Sequence, residues 1–325
     1  MKKRQLLQAC ATLAVLPLWT APTQAQDFPP KKPVSLVVGF APGGAADTAA
    51  RVIAKKVGEN IGQTVLVDNK PGAGGNIAHQ FVANAVPDGA TILFGSVGPL
   101  TIAPHLMKLA YDPVRDLAPI TMAVNFPNVL VVHAGLKVKT MGEFVALAKQ
   151  KPGFLDFAST GAGSASHLAG ELFNDRAGID TVHIPYKGGA PALQDLLGGR
   201  VAAYYSTPST AGPHIESGKL VPLATTGLTR PSFMPNVPTI AESGFPGFNA
   251  LNWYAFVAPG KTPKPLLDRW NLELVKVLNA PEVREALLKH GLTPAPGSRE
   301  ELARYMASET STWGRIIRDR KITAD

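Results

Sequence analysis

Two segments of the chain, both rich in glycine and other small residues, have a pattern that suits the binding of an anion. The first, residues 41–47 (APGGAAD), follows an apolar run at residues 34–40, and the second, residues 160–167 (TGAGSASH), follows residues 154–159. Each pattern predicts a strand, a small-residue turn and the beginning of a helix. Such turns leave backbone N–H groups unpaired at the positive end of a helix, where they can bind a carboxylate. Two of them predict two lobes that hold one small acid.

The first turn has the residues for a close approach between backbone and ligand. Pro42 restricts φ, and Gly43 and Gly44 leave space beside the main chain. Asp47 falls in the first turn of the following helix, where its carboxylate can accept backbone N–H groups. The same residues also fit a structural turn with a capping aspartate, so the pattern leaves both interpretations open.

The second turn is richer in hydroxyl groups. A carboxylate in a closed cleft must recover the hydrogen bonds that it loses from water, and hydroxyls with turn amides can supply them without an arginine. For His167, early in the helix, a packing or capping role is the alternative to ligand contact. The hydroxyl residues around Gly161 and Gly163 are Ser159, Thr160, Ser164 and Ser166.

Sequence motifs for catalysis and metal binding do not match. Residues 161–164 do not fit the G-x-S-x-G pattern of a serine nucleophile. The seven histidines include no H-E-x-x-H pattern, and we expect no metal and no cofactor. A secreted hydrolase that uses Ser164 and His167 is an alternative, although no acid partner or oxyanion motif accompanies the pair.

The first 25 residues have the pattern of a secretory signal peptide. A basic start precedes a mostly apolar run at residues 6–19, and small residues predict cleavage after Ala25. The single cysteine, Cys10, lies inside this segment, which fits export to a bacterial periplasm without disulfides. Loss of the segment lowers the net charge from +8 to +5. Such a mild charge suits small anions and, without a basic stripe bearing aromatic residues, does not predict nucleic-acid binding.

Strand and helix signals alternate through the remaining chain, which predicts an α/β fold of mostly parallel sheets flanked by helices. Apolar runs at residues 91–95, 120–133 and 251–258 are predicted strands. We expect the last two to cross between lobes. Ser96 directly follows the first run. Ligands of such sheets bind beyond the carboxyl ends of strands, where Ser96 and both turns are predicted to lie.

Short motifs along the chain carry a family resemblance. They are FAPGG at residues 40–44 with Asp47, NKPGAGGN at 69–76, PDG at 87–89, YDP at 111–113, PNVLV at 127–131, GS at 163–164, SHLAGELF at 166–173, HIPYKG at 183–188, PAL at 191–193, DLLGG at 195–199, PHI at 213–215 and VPT at 237–239. By these motifs the mature chain resembles the Bug-type periplasmic solute-binding proteins, the receptors of tripartite tricarboxylate transporters.

The resemblance implies a two-lobe periplasmic binding protein of type II, a Venus flytrap, in which two turns clamp a small carboxylate, partly through water. It places residues 26–125 and 246–325 in lobe I and residues 126–245 in lobe II. The ligand-binding residues carried over are Phe40, Ala41, Pro42, Gly43, Gly44 and Asp47 in the first turn, Ser159, Thr160, Gly161, Gly163, Ser164 and His167 in the second, and Ser96 as a wall residue.

One departure from the family pattern bears on the ligand. Members of the family often have Asp-Asn where this chain has Ser206 and Thr207. An aspartate there would suit an amino group, so Ser206 favours a ligand without one, such as a dicarboxylate, a tricarboxylate or an aromatic acid.

The resemblance therefore predicts a monomeric, non-enzymatic periplasmic receptor that delivers a small organic acid to the inner-membrane permease subunits of a tripartite tricarboxylate transporter. The same fold would also suit a ligand-dependent sensor that signals to a histidine kinase. Lobe closure by hinge motion would serve either role.

Overall fold

A computed structural model describes residues 28–323 of the chain. The predicted signal peptide and its Cys10 lie outside these residues. The strands are β1 (Val34–Val38), β2 (Val65–Asn69), β3 (Thr91–Ser96), β4 (Leu117–Pro127), β5 (Val129–His133), β6 (Asp156–Ser159), β7 (Val182–Pro185), β8 (Ala203–Ser206), β9 (Leu220–Thr225), β10 (Leu251–Pro259) and β11 (Thr293–Pro294).

Helices follow most strands, as the alternating pattern predicts. They are α1 (Ala45–Ile61), α2 (Asn76–Ala83), α3 (Ala103–Leu106), α4 (Met141–Gln150), α5 (Ala165–Ala177), α6 (Gly189–Leu197), α7 (Pro208–Glu216), α8 (Lys264–Asn279), α9 (Pro281–Lys289) and α10 (Arg299–Arg320). A π-helical segment, Gly98–Ile102, precedes α3. In the described part of the chain, no helix combines the length and the apolar character needed to cross a membrane.

The strands form two sheets, which define two lobes. The first lobe is built on the six-stranded sheet with the order β11-β4-β10-β3-β1-β2, and the second on the five-stranded sheet with the order β7-β6-β8-β5-β9. Val34, Val37 and Val38 of β1 have no exposed surface, as expected for a strand that is covered on both faces. A buried apolar cluster contains residues of both sheets, among them Leu93 and Phe157, so the lobes also pack against each other.

Both sheets are mixed, whereas the sequence predicted mostly parallel ones. The pairs β1–β2, β1–β3, β6–β7 and β6–β8 are parallel, as expected for strands joined through helices. The pairs that involve β4, β5 or β10 are antiparallel. These strands lead the chain from one lobe to the other and back. Apolar periodicity identifies such strands but does not encode their direction.

The chain crosses between the lobes at two places. Strand β4 ends at Pro127 in the first sheet, and β5 begins at Val129 in the second, so Asn128 is the single residue between them. The return path runs from β9 to β10. Strand β4 continues two residues past the predicted division at residue 125. The lobe boundaries given by the resemblance stay a prediction.

Helix α7 was not predicted from the sequence. Gly212 and Pro213 lie inside it, and both residues are unfavourable in a helix interior. The helix packs against β5 and β9, and this packing stabilises it although its residues have a low intrinsic helix propensity. Pro208 occupies its first turn, where the missing N–H costs nothing.

Candidate functional site

The two predicted turns lie at the carboxyl ends of parallel strands, one in each lobe. The first turn joins β1 to α1, and the second joins β6 to α5. Between the lobes lies a small cavity of about 10 Å³, hereafter the interlobe cavity, which has room for about one water molecule. Phe40, Ser96 and Tyr254 of the first lobe and Thr160, Ser164 and Thr207 of the second contribute to its wall.

The carboxylate of Asp47 braces the first turn. Its Oδ2 accepts the backbone N–H of Gly43 at 3.0 Å and Nε of Arg51 at 2.9 Å. Its Oδ1 accepts Nδ2 of Asn69 at 3.0 Å. Burial raises the pKa of Asp47, but the hydrogen bonds from Arg51, Gly43 and Asn69 outweigh it and hold the pKa below its ordinary value. Asp47 therefore accepts a backbone N–H, as predicted, and ties the turn to β2.

The first turn also contacts the opposite lobe. The backbone N–H of Ala41 donates to the carbonyl of Lys187, between β7 and α6, at 3.1 Å. A Cβ atom on Gly188 would stand 3.0 Å from the nitrogen of Ala41, so the two backbones touch. The turn therefore contributes to lobe contact through the main chain of Ala41, whereas the amide of Gly43 is used by Asp47 within the turn.

Amides of the second turn are likewise used inside the turn. The N–H of Thr160 donates to Oγ of Ser166 at 2.9 Å, and the N–H of Gly161 donates to Oγ of Ser159 at 3.0 Å. The N–H of Gly163 donates to Nδ1 of His167 at 3.2 Å. The prediction of unpaired turn amides is therefore wrong at these three positions, because nearby side chains accept hydrogen bonds from the amides.

Helix α5 begins at the wall of the cavity. Ser164 is its N-cap, with Oγ accepting the N–H of His167 at 3.3 Å. Ala165 and Ser166, the first two helical residues, also line the cavity. The first N–H groups of a helix have no carbonyl partner within it and carry partial positive charge. The anion-binding potential expected of the second turn thus falls on this helix end.

Two buried polar atoms of the cavity wall have no hydrogen-bond partner within residues 28–323. They are Oγ of Ser96 and Nδ2 of Asn128. The exposed fractions of the two residues are 3% and 0%. Most buried polar groups in proteins have a partner, so such groups indicate a place for a bound molecule. The sequence predicted Ser96 but missed Asn128; its signal was a lone amide between two apolar strands.

A buried histidine that sequence reasoning also missed supports Ser96. Nε2 of His79 accepts the backbone N–H of Ser96 at 3.3 Å, so Nδ1 carries the proton and donates to the carbonyl of Gly75 at 2.8 Å. Burial lowers the pKa of His79 to about 4, which keeps the ring neutral. The neutral ring links the glycine-rich segment at residues 72–75 to the end of β3.

A pair of stacked histidines lies behind the second turn. The rings of His167 and His183 stack at 4.0 Å, and Nε2 of His183 lies 2.6 Å from Oγ of Ser159. Burial, together with His183, lowers the pKa of His167 to about 3, and burial lowers that of His183 to about 4. Burial, with a smaller effect of Asp180, raises the pKa of Glu171 to about 7. Both rings are thus held neutral while they support the turn.

The geometry of Ser164 and His167 does not form a nucleophile–base pair. Oγ of Ser164 lies 3.1 Å from Oγ of Ser166 and accepts the backbone N–H of His167. The ring of His167 instead accepts from Gly163 through Nδ1, and its Nε2 lies 3.9 Å from Oε1 of Glu171. A general base must reach the proton that it removes, and this ring is directed elsewhere.

The predicted ligand-binding residues fall into two groups. Phe40, Ser96, Thr160 and Ser164 line the interlobe cavity. Ala41, Pro42, Gly43, Gly44, Asp47, Ser159, Gly161, Gly163, His167 and Ser206 do not line it. Ser206 is buried, and its hydroxyl donates to the carbonyl of Thr207 at 3.1 Å, so Thr207 faces the cavity in its place. Direct ligand contacts of these residues stay predictions.

Within the described residues, no cluster of three or more His, Cys, Asp or Glu side chains is arranged to hold a metal ion. The cavity wall itself is built from hydroxyl, amide, aromatic and small side chains, and no charged side chain belongs to it among residues 28–323. Its chemistry is therefore that of neutral hydrogen bonding.

Comparison with known proteins gives consistent matches. The model of the tripartite tricarboxylate transporter family receptor matches residues 49–322. Protein BugT of Bordetella pertussis is 37% identical over 92% of this chain and 92% of its own length.

The structure of R. palustris Rpa4515 with adipate has a TM-score of 0.88 and 33% identity to this chain, and the match covers 91% of this chain and 99% of that chain. MatC from Rhodopseudomonas palustris with bound malate has a TM-score of 0.85 and 32% identity, and covers 89% and 99%. The predicted two-lobe periplasmic binding fold is confirmed.

Proposed function

The chain belongs to the tripartite tricarboxylate transporter receptor family, with Bug-type relatives, and from this premise we propose that it captures a small carboxylate between its lobes. The observation that carries the proposal is the pair of buried, unpartnered donors, Ser96 Oγ and Asn128 Nδ2, in the interlobe cavity. A carboxylate offers the acceptors that these donors lack. The N-terminus of α5 on the same wall adds partial positive charge.

We infer that the ligand is a compact dicarboxylate, tricarboxylate or aromatic acid. The cavity volume of about 10 Å³ is far below the roughly 300–1,000 Å³ of small-molecule sites, so the lobes must separate to admit an acid. Adipate and malate are bound in the related structures Rpa4515 and MatC, and both are short dicarboxylates. An amino group would find no carboxylate side chain on the wall of the cavity, as far as the described residues go.

A screen by thermal shift tests this proposal. Malate, adipate, citrate and benzoate are added separately to the mature protein, with glucose as the neutral control. A ligand that binds only the folded state stabilises it and so raises the melting temperature. At a free ligand concentration of one hundred times Kd the stabilisation is about 2.7 kcal/mol. We expect at least one acid to raise it and glucose to have no effect. A shift with glucose but with none of the acids would exclude a carboxylate site.

We further propose that the receptor acts as a monomer in the periplasm and passes its ligand to the permease of a tripartite tricarboxylate transporter. The predicted signal peptide supports export. Sequencing of the mature protein should find Gln26 at its N-terminus. Uptake of the acid that gives the thermal shift should require both the receptor and the permease. Uptake that is unchanged without the receptor would contradict the transport role.

A further inference from the structure

Asn128 is the one residue between β4 and β5, at the first crossing between the lobes, and it has no exposed surface. Its backbone is fixed on both sides. Its N–H donates to Oγ1 of Thr226 at 2.9 Å, and its carbonyl accepts the N–H of Thr226 at 2.9 Å. The hydroxyl of Thr226 donates in turn to the carbonyl of Ala250, just before β10, at 2.7 Å. Three segments of the hinge therefore determine where the Asn128 side chain lies.

The side-chain amide is satisfied on one side only. Its Oδ1 accepts Nδ2 of Asn252, on the returning strand β10, at 3.3 Å. Its Nδ2 has no partner within residues 28–323, although Asn128 lines the interlobe cavity. A buried N–H donor without an acceptor is unfavourable, so an acceptor on a bound molecule would complete the site.

The hydroxyl of Ser96 is a second unpartnered donor in the same cavity. Because no carboxylate or cationic side chain belongs to this wall in the described chain, the complement of Asn128 Nδ2 is an oxygen acceptor. The N-terminus of α5, at Ala165 and Ser166, supplies donors for a first carboxylate elsewhere on the wall. A ligand that satisfies both places carries a second oxygen group.

We propose that Asn128 is a specificity-determining residue that selects acids with a second oxygen acceptor, by donating Nδ2 to that group. Through Oδ1 and Asn252 the same amide joins the two crossing strands, so the ligand's second group is recognised at the hinge itself. This inference rests on the carboxylate-binding function proposed above.

Calorimetric titration with matched acids tests the proposal. The pairs are succinate and butyrate, adipate and hexanoate, and terephthalate and benzoate, which differ in the second carboxylate. We expect the unaltered protein to prefer the diacid of its best pair by about tenfold or more, and Asn128→Ala to reduce that preference to less than about threefold. Asn128→Asp places a carboxylate against the second acid group and should weaken diacid binding further.

Asn174→Ala is the matched control, because Asn174 is a partly buried amide that bonds Thr181 in the second lobe, away from the cavity. It should retain the full preference. A retained preference in Asn128→Ala would overturn the proposal. If that variant does not fold, the unaltered protein decides, since equal affinities within every pair would also overturn it. Binding of no acid at all would instead contradict the proposed function.

Discussion

Gly161 of the second lobe packs against Gly74 of the first so closely that a Cβ atom on Gly161 would stand 2.7 Å from the backbone nitrogen of Gly74. Real Cβ atoms do not approach other atoms this closely, so the contact requires glycine. Gly98 and Gly163 repeat the arrangement nearby, with 2.5 Å between a Cβ on Gly98 and the carbonyl oxygen of Gly163. Glycine backbones thus form the contact between the lobes beside the cavity.

Gly98→Ala should weaken ligand binding by hindering lobe closure. The added methyl group meets the second lobe, and overpacking of this kind costs about 1–3 kcal/mol, which corresponds to about 5- to 150-fold in affinity. The variant's free melting temperature should change little, because the lobes can separate. Calorimetric titration with the acid found by thermal shift measures the affinity, and small-angle scattering of the bound state measures lobe closure. Thermal denaturation of the ligand-free variant measures its melting temperature.

Gly212→Ala provides the control, since a Cβ there meets no atom within 4 Å and α7 tolerates alanine better than glycine. It should bind and close as the unaltered protein does. If Gly98→Ala bound the acid with full affinity and compacted normally, the glycine contact would not limit closure.

Ser96→Ala should separate binding from stability. The hydroxyl has no partner in the folded protein within residues 28–323, so its removal should leave the melting temperature unchanged or slightly raised. Loss of a charge-assisted hydrogen bond to the acid should reduce affinity by about tenfold or more. Thr262→Val is the matched control, because it also removes a buried, unpartnered hydroxyl, yet one outside the cavity. Equal affinities of the two variants would remove Ser96 from the site.

Asp47→Ala should lower the free energy of unfolding by about 1–3 kcal/mol, because it removes a buried carboxylate that accepts hydrogen bonds from Gly43, Arg51 and Asn69. Chemical denaturation of the ligand-free protein measures the change. Glu285→Ala serves as comparison, since the pair of Glu285 and Lys289 is exposed on both sides and should contribute less than about 0.5 kcal/mol. Equal effects would show that burial of Asp47 contributes nothing to the first turn.

Acid should destabilise the protein through its buried histidines. The pKa values of His79 and His183 fall to about 4, and that of His167 falls to about 3, against about 6.5 in an unfolded chain. The unfolded state therefore binds more protons below pH 6.5, and stability is lost as the pH falls from there towards 4. For the fully buried His79 alone the loss approaches about 3 kcal/mol.

Glu171 acts in the opposite direction. Its pKa is raised to about 7, so its favourable contribution is complete below pH 4.5 and is lost as the pH rises through 7. Glu171→Gln should then raise the free energy of unfolding at pH 8 by about 1–3 kcal/mol, once the partial exposure of Glu171 is allowed for. The melting temperature should rise with it at pH 8 and change little at pH 4.5. A melting temperature that increased as the pH fell from 7 to 4.5 would contradict the dominance of the histidines.

Local patterns were sufficient to predict the strand–turn–helix units that carry both turns. An apolar run such as residues 34–38 needs burial on two faces, and glycine with proline needs a turn, whatever the rest of the chain does. The observed β1 and β6 lie within the predicted runs at residues 34–40 and 154–159 and differ from them by two residues at one end, and α5 begins in the predicted turn. Ser96 was found for the same reason, since it follows a strand whose end is visible in the sequence.

Tertiary structure alone decided which polar groups remain available to a ligand. The amides of Gly161 and Gly163 are used by Ser159 and His167, while Asn128 keeps a free donor because Thr226 and Asn252 hold its other groups. Asn128 and Asn252 are separated by 124 positions along the chain. The sequence therefore determined the fold units and the chemical character of the turns. The arrangement of the lobes assigned the free donors, because hydrogen-bond satisfaction depends on neighbours that only folding brings together.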